Sequence, residues 1–265
     1  MPYLKTDDGC SLYYELLGDG PGKPTLTFLN GTLQTTIYWK LVSKSFTQQF
    51  RVLLYDARGQ GESDLGQQPL SLERHVADLQ ALLFELNIHQ THMVGLSHGA
   101  RVALAFGQKW PDSVLRMVLC STSARSTFRA RVIVRTWNEI LRRHSLDAMV
   151  WASVPHVFGH QFLRQNEKVL ERIVSTIVRR NQTEALRAHL EALQNYAPIT
   201  RGLQRHPFLV LVVTGEDDPL VTAEGGDQLA QLCGGRHVEL KGVGHSFPAE
   251  DPQQFTALVA DFLSH

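Results

Sequence analysis

The 265-residue chain lacks several features that would place it in a specialised class of protein. It has only three cysteines (Cys10, Cys120 and Cys233), an odd number at no disulfide or metal-binding spacing. We therefore expect reduced thiols in a cytoplasmic protein, with no metal and no cofactor. No run of 18 apolar residues predicts a membrane span, and the N-terminus lacks the basic and apolar regions of a signal peptide. Gly-x-Gly-x-x-Gly and P-loop motifs are also missing, so nothing supports nucleotide binding.

What the chain does have is a regular alternation of apolar strands and amphipathic helices. The patterns predict strands over 11–17, 25–30, 51–56, 91–96, 115–120, 208–214 and 236–241, and helices over 71–87, 98–109, 222–233 and 251–264. Such alternation predicts an α/β fold with a mostly parallel central sheet and helices on both faces. Between about 123 and 203 the strand pattern stops and apolar residues recur at helical spacing. We expect a core formed by 1–122 and 204–265, interrupted by a helical insertion over 123–203.

The most informative motif is Gly95-Leu96-Ser97-His98-Gly99, which lies between a predicted strand and a predicted helix. Gly-x-Ser-x-Gly in this setting is typical of a nucleophile elbow, a turn so tight that only glycine fits on either side of the serine. The turn exposes the hydroxyl and points a helix N-terminus at the group it attacks. A serine hydroxyl becomes an effective nucleophile when a histidine takes its proton and an acid holds that histidine.

Two later strands end in residues that can complete such a set. The predicted strand over 208–214 is followed by Glu216-Asp217-Asp218, and the strand over 236–241 is followed by His245. Ser97, an acid near 218 and His245 thus come in the order and strand-end setting of a serine–acid–histidine triad. The identity of the acid stays open at this point, because Asp218 could cap the next helix while Asp217 does the chemistry.

These residues and three further segments make the chain resemble the α/β-hydrolase superfamily from end to end. The further segments are Leu29-Asn30-Gly31-Thr32, the loop from Asp56 to Ser63, and Gly244-His245 with Glu250-Asp251-Pro252. The resemblance implies that Ser97 is the nucleophile, Asp218 the acid and His245 the base. It also implies an oxyanion hole built from the backbone amides of Thr32 and His98, and it makes the inserted helices a lid. The chain departs from many members in having Asn30 where they have histidine.

Two subfamilies share additional segments with the chain. The stretches 55–59 and 119–124 resemble the 3-oxoadipate enol-lactonases. The Asn30-Gly31 pair and part of the region after 180 are similar to the synthase that esterifies 3-hydroxyacyl chains taken from acyl-carrier protein for rhamnolipids. These resemblances imply acyl-transfer chemistry and do not fix a substrate.

The predicted insertion is strongly basic although the whole chain has no net charge. Between 121 and 205 there are fourteen Lys and Arg, thirteen of them Arg, against six Asp and Glu. These charges form either an ordinary helical surface or a docking site for an acidic partner. Such a partner could be an acyl-carrier protein, the phosphates of coenzyme A or a carboxylated substrate, with Arg142, Arg143, Arg179 and Arg180 as the expected contacts. Without a recognisable binding module, nucleic acid is not expected.

Three interpretations of function follow. The first is a serine hydrolase that cleaves a carboxylic ester, lactone or acyl thioester through an acyl-enzyme on Ser97. The second is an acyltransferase, in which a hydroxyl replaces water as the acceptor and the same residues act. The third is a non-enzymatic ligand-binding protein on a hydrolase-like fold, because a fold alone does not fix function. The sequence does not predict the oligomeric state.

Overall fold

Eight strands form one sheet in a computed structural model of the chain, which describes residues 2–18, 20–198, 200 and 203–264. The strands are β1 (Tyr3–Lys5), β2 (Ser11–Leu17), β3 (Thr25–Leu29), β4 (Arg51–Tyr55), β5 (Thr91–Leu96), β6 (Val114–Cys120), β7 (Leu209–Gly215) and β8 (Arg236–Leu240). Their order across the sheet is β1-β2-β4-β3-β5-β6-β7-β8. The pairs β1/β2 and β2/β4 are antiparallel and the others are parallel. The predicted fold class is therefore confirmed.

The helices follow the strands in alternation, apart from a block of five. They are α1 (Thr36–Ser43), α2 (Leu72–Glu85), α3 (His98–Lys109), α4 (Phe128–Arg143), α5 (Leu146–Val157), α6 (His160–Asn166), α7 (Leu170–Arg179), α8 (Thr183–Asn195), α9 (Ala223–Cys233), α10 (Phe247–Glu250) and α11 (Pro252–Ser264). The predicted strands and helices agree with these bounds to within two residues. The sequence patterns missed β1, α1 and α10, because three, eight and four residues are too few for a clear period.

Buried side chains form one apolar layer on each face of the sheet. Leu79 of α2 and Leu104 of α3 belong to the layer on one face, and Trp39 of α1 and Phe255 of α11 to the layer on the other. The strands between them are apolar on both faces, as expected for parallel strands that helices cover on either side. This packing fixes the carboxyl ends of β5, β7 and β8 along one edge of the sheet, where the predicted site residues follow.

The helical insertion runs between β6 and β7 as helices α4 to α8, which we call the inserted helices. They have their own apolar cluster, in which Trp137, Val174 and Leu190 are buried. The same cluster includes Leu220 and Val221 of the core, so the inserted helices pack on the loop that follows β7. Within the described parts of the chain, no helix is long and apolar enough to cross a membrane.

A buried arginine ties the loop after β4 to two other parts of the core. Arg58 is fully buried, and its guanidinium lies 2.7 Å from Asp8 and 2.7 Å from Asp78 of α2. Nearby, Asp56 accepts hydrogen bonds from the backbone amides of Thr36 and Glu62. Arg58 and Asp56 therefore hold the loop that precedes α2 in place.

Removing the Arg58 side chain should strongly destabilise the fold. Arg58→Ala would leave Asp8 and Asp78 buried without their cation, which typically costs about 3–5 kcal/mol. We expect the free energy of unfolding, measured by urea denaturation, to fall by about that amount. Arg74→Ala is the matched control, because Arg74 pairs with the exposed Asp7 and such pairs contribute about 0–1 kcal/mol. Equal losses in the two variants would contradict the structural role of Arg58.

Candidate active site

The turn that carries Ser97 joins β5 to α3 in a strained conformation. Ser97 has φ 53° and ψ −110°, a region that non-glycine residues rarely adopt. A Cβ on Gly99 would clash with the backbone oxygens of Leu29 and Asn30, and one on Gly95 would meet the first turn of α3. Both glycines are therefore required by backbone contacts, and the turn presents a partly exposed serine at the start of a helix.

Asp218 and His245 are hydrogen-bonded to each other. Nδ1 of His245 lies 2.7 Å from Oδ2 of Asp218, and both residues are buried. The other carboxylate oxygen, Oδ1, accepts hydrogen bonds from the amides of Leu220 and Val221 at 2.8 and 3.1 Å. The alternative acid, Asp217, is exposed and accepts a hydrogen bond from the amide of His160. The structure thus places Asp218, and not Asp217, beside the histidine.

The loop that carries His245 is held from both the core and the insertion. The Ser121 hydroxyl, after β6, donates to the His245 carbonyl at 2.7 Å. Oε2 of Glu250 accepts hydrogen bonds at 2.9 Å from the amides of Gly244 and Gly159, and Gly159 directly precedes α6. This shared carboxylate joins the histidine loop to the inserted helices.

Ser97 and His245 open onto one cavity of about 900 Å³ between the sheet edge and the inserted helices. Thr32 and His98 also line it, so the predicted nucleophile, base and oxyanion residues share one cavity, and the predicted acid is hydrogen-bonded to His245. Its volume lies in the range of small-molecule sites. Ser97 and the Asp218–His245 pair therefore lie at the same cavity.

The segment from Asn30 to Thr32 is fixed by side-chain hydrogen bonds. Asn30 donates to the carbonyl of Tyr55 at 3.0 Å, so its amide anchors this segment to the end of β4. The amide of Gly31 donates to Gln34 at 2.8 Å, and its carbonyl accepts from Gln60 at 2.9 Å. These bonds orient the peptide that leads into Thr32. His98 is the first residue of α3, where backbone amides have no acceptor within the helix.

The side chain of His98 belongs to a buried cluster of three histidines that the sequence did not predict. Its ring lies 4.7 Å from the ring of His75 on α2 and 4.5 Å from that of His189 on α8, measured between centroids. Nε2 of His189 lies 2.9 Å from the Thr32 hydroxyl. Burial lowers the pKa of His75 to about 3 and that of His189 to about 4, and it holds the pKa of His98 well below its usual range. All three rings are therefore neutral near pH 7.

Among the residues that the structure describes, these three histidines are the side chains that could together hold a metal ion. One ring nitrogen from each lies within 4.8 Å of the others. The positive charges of Arg58 and Arg101 further lower the pKa values of His75 and His98, and the same potential opposes a bound cation. The cluster is better explained as a neutral contact that joins α8 to the core.

The four arginines singled out from the sequence occupy different environments. Arg142 and Arg143 share the exposed carboxylate of Glu139 at 2.9 and 2.8 Å and do not line the cavity. Arg179 is exposed outside it, whereas Arg180 is part of the cavity wall. Counting charges along the sequence identified the basic region, but it did not identify which of its arginines face the cavity.

Five other arginines line the cavity, and the sequence did not single them out. They are Arg101, Arg125, Arg131, Arg135 and Arg172. No Asp or Glu of the described residues stands among the lining side chains. The cavity is therefore lined by cations without matching anions.

A family model described as alpha/beta hydrolase fold matches residues 24–252. The chain belongs to the α/β-hydrolase fold family and is a hydrolytic enzyme related to enol-lactonases and esterases. The 3-oxoadipate enol-lactonase 2 of Acinetobacter baylyi is 24% identical over 258 residues, which cover 96% of this chain and 93% of that protein. The non-enzymatic interpretation is accordingly set aside.

Solved structures agree with this assignment over the full length. The enol-lactonase from Burkholderia xenovorans LB400 is 27% identical, with a TM-score of 0.91 and complete coverage of both chains. A thermophilic esterase from Thermogutta terrifontis is 25% identical, with a TM-score of 0.87 and coverage of 100% of this chain and 98% of that one.

The neutral histidine cluster should make the enzyme sensitive to acid. In the unfolded chain these rings take up protons below about pH 6.5, whereas in the folded protein burial holds the pKa of His75 at about 3 and that of His189 at about 4, and it lowers the pKa of His98 well below its usual range. Their contribution to stability is complete above pH 6.5. It falls by up to about 1.4 kcal/mol per pH unit for each ring as the pH drops below that value.

The melting temperature should therefore decrease as the pH is lowered from 7.5 to 5, and the decrease should be smaller in His75→Phe. His144→Phe, at an exposed position, is the control and should leave the profile unchanged. A wild-type melting temperature that is constant over this range would contradict a buried neutral cluster.

Proposed function

We propose that the protein hydrolyses a carboxylic ester, lactone or acyl thioester through an acyl-enzyme on Ser97. The observation that carries the proposal is the hydrogen-bonded Asp218–His245 pair, whose histidine opens onto the same cavity as the strained Ser97. A serine, a histidine and a buried acid in these roles are the requirements for covalent acyl transfer.

In the first half of the reaction, the Ser97 hydroxyl oxygen attacks the acyl carbon. Nε2 of His245 takes the hydroxyl proton, because Nδ1 faces Asp218. Asp218 stabilises the imidazolium that forms, and its own position is fixed by the amides of Leu220 and Val221. His245 then gives the proton to the departing alkoxide or thiolate. A water molecule activated by His245 attacks the acyl-enzyme in the second half and releases the acid.

We assign stabilisation of the oxyanion of the tetrahedral intermediate to the backbone amides of Thr32 and His98. One such donor contributes about 3 kcal/mol in the transition state. The hydrogen bonds that hold Asn30 and Gly31 keep the Thr32 peptide in place, and the amide of His98 belongs to the N-terminal end of α3. Both donors are thus fixed before the substrate binds.

The named relatives favour a small ester or lactone as the substrate. One relative is called a 3-oxoadipate enol-lactonase, and the solved structures similar to this chain include an enol-lactonase and an esterase.

The three cysteines are free and buried, which agrees with the predicted cytoplasmic location.

A transferase that uses a hydroxyl acceptor is the second candidate, and the basic inserted helices are what favours it. Their excess positive charge suits an acidic acyl-carrier protein or coenzyme A as the acyl donor. Because Arg142 and Arg143 already share Glu139, docking would rely more on Arg179 and Arg180. Product analysis with and without an alcohol acceptor separates the two candidates.

Replacing the nucleophile or the base should nearly abolish turnover. Ser97→Ala and His245→Ala should each lower kcat for a 4-nitrophenyl ester by about 10⁴-fold or more. A fluorophosphonate should label the wild-type protein at Ser97 and leave Ser97→Ala unlabelled, as read by intact mass. Activity that persists in a folded Ser97→Ala variant would contradict the assignment.

The two neighbouring aspartates provide a matched test of the acid. Asp218→Asn keeps the shape of the side chain but removes the charge that orients and stabilises His245, so kcat should fall by about 10⁴-fold. Asp217→Asn changes an exposed residue whose carboxylate accepts a hydrogen bond from the amide of His160, and this variant should stay within a few-fold of wild type. The opposite ranking of kcat values would move the acid to Asp217.

A further inference from the structure

The charges that line the cavity carry information about its substrate, because six arginines contribute to the wall. Arg101 lies in the core, on α3, while Arg125, Arg131, Arg135, Arg172 and Arg180 come from the segment between β6 and β7. We infer that the enzyme selects a substrate that carries an oxyanionic group, carboxylate or phosphate, and that the Arg101 guanidinium binds this group inside the cavity. The inference rests on the proposed hydrolysis at Ser97 and specifies its substrate class.

Arg101 is placed close to the reacting serine by the helix itself. It follows Ser97 by four residues, and its backbone amide donates to the Ser97 carbonyl at 3.2 Å. Ser97 precedes α3 with a non-helical backbone, Arg101 lies in the first turn, and both residues line the cavity. An anion held by Arg101 would therefore share the cavity with an acyl group on Ser97.

The charge of Arg101 is not balanced by the protein. Its guanidinium donates to the neutral hydroxyl of Ser126 at 2.8 Å, and within the described residues no carboxylate lies within ion-pair distance of it. Burial lowers its pKa, and the nearby Tyr196 is also neutral because burial raises the pKa of its phenol. Desolvating a cation without a partner is unfavourable. A bound oxyanion removes that cost and matches the planar fork of an arginine.

Some of the arginines between β6 and β7 are paired with a carboxylate and others are not. Outside the cavity, Arg142, Arg143 and Arg187 pair with Glu139 or Glu184 on their own helices, whereas Arg129, Arg164 and Arg179 form no ion pair with the described residues. Those that line the cavity form no ion pair with the described residues; four of them are exposed, namely Arg125, Arg131, Arg135 and Arg172. Exposed cations without ion-pair partners on the cavity wall raise the local concentration of anionic substrates there. Arg101 then provides the specific contact inside.

The test compares 4-nitrophenyl esters that share the scissile bond and differ in the group at the far end of the acyl chain. The probes are mono-4-nitrophenyl glutarate, its neutral methyl ester, and the 4-nitrophenyl ester of 4-phosphonobutanoic acid. In the wild type, kcat/KM for at least one anionic ester should exceed that for the neutral ester by roughly 10- to 100-fold, the effect of a charge-assisted hydrogen bond. Preference for the first or the third ester identifies carboxylate or phosphate as the natural group.

Variants then assign the preference to a residue. Arg101→Gln should bring the anionic-to-neutral ratio close to one, and Arg101→Lys should keep part of it. Arg129→Gln is the matched control, because Arg129 is an exposed arginine on α4 that does not line the cavity, and it should keep the full ratio. Because each ratio comes from one preparation, a lower folded fraction cancels out.

A wild-type ratio at or below one would overturn the inference. A ratio that survives in Arg101→Gln but collapses in Arg131→Gln/Arg135→Gln would overturn the role of Arg101. The proposed hydrolysis is read separately, from cleavage of the neutral ester and fluorophosphonate labelling, both dependent on Ser97. If neutral-ester cleavage and labelling both depend on Ser97 while the anionic-to-neutral ratio is close to one, only the anion preference is contradicted. If neither cleavage nor labelling depends on Ser97, the proposed function itself is contradicted.

Discussion

The close approach of two backbone segments at the end of β5 is the constraint on which the site depends. Gly99 packs against the backbone of Leu29 and Asn30, and Gly95 packs against the first turn of α3, with no room for a side chain at either position. This contact forces Ser97 into positive φ and sets the start of α3 beside the Thr32 loop. The nucleophile, one proposed oxyanion donor and Arg101 are all placed by the same turn and helix.

The inserted helices contact the loops of the site and do not only cover the cavity. His189 of α8 reaches the Thr32 hydroxyl, and Asn181 donates to the carbonyl of Leu33, whose φ is 67°. The histidine loop is joined to the inserted helices by Glu250, whose carboxylate accepts hydrogen bonds from the amides of both Gly244 and Gly159. A movement of the inserted helices would therefore disturb both the proposed oxyanion loop and the histidine loop.

The sequence was most informative where a short segment imposes its own geometry. Ser97 and His245 were predicted because glycines beside them mark tight turns at strand ends, and those turns are found where expected. The residues alone left Asp217 and Asp218 open, since both follow β7 within three residues; only the loop geometry turns Asp218 inward.

Features built from distant segments were not predicted. The histidine cluster joins α2, α3 and α8, and Arg58 pairs with Asp8 and Asp78 in two other parts of the core. No local pattern reports such contacts. Arg101 is an intermediate case, because its spacing of four from Ser97 was available in the sequence and its lack of a countercharge was not.

The central claim is that the reaction passes through an ester bond on Ser97. The most direct measurement is rapid acid quenching of the enzyme with a 4-nitrophenyl ester during turnover, followed by mass analysis of the peptide that contains Ser97. We predict a peptide heavier by one acyl group, formed at the same time as a burst of 4-nitrophenolate and missing in Ser97→Ala. Turnover at the wild-type rate with the acyl group on another residue, or with neither a burst nor an acylated peptide, would contradict the claim.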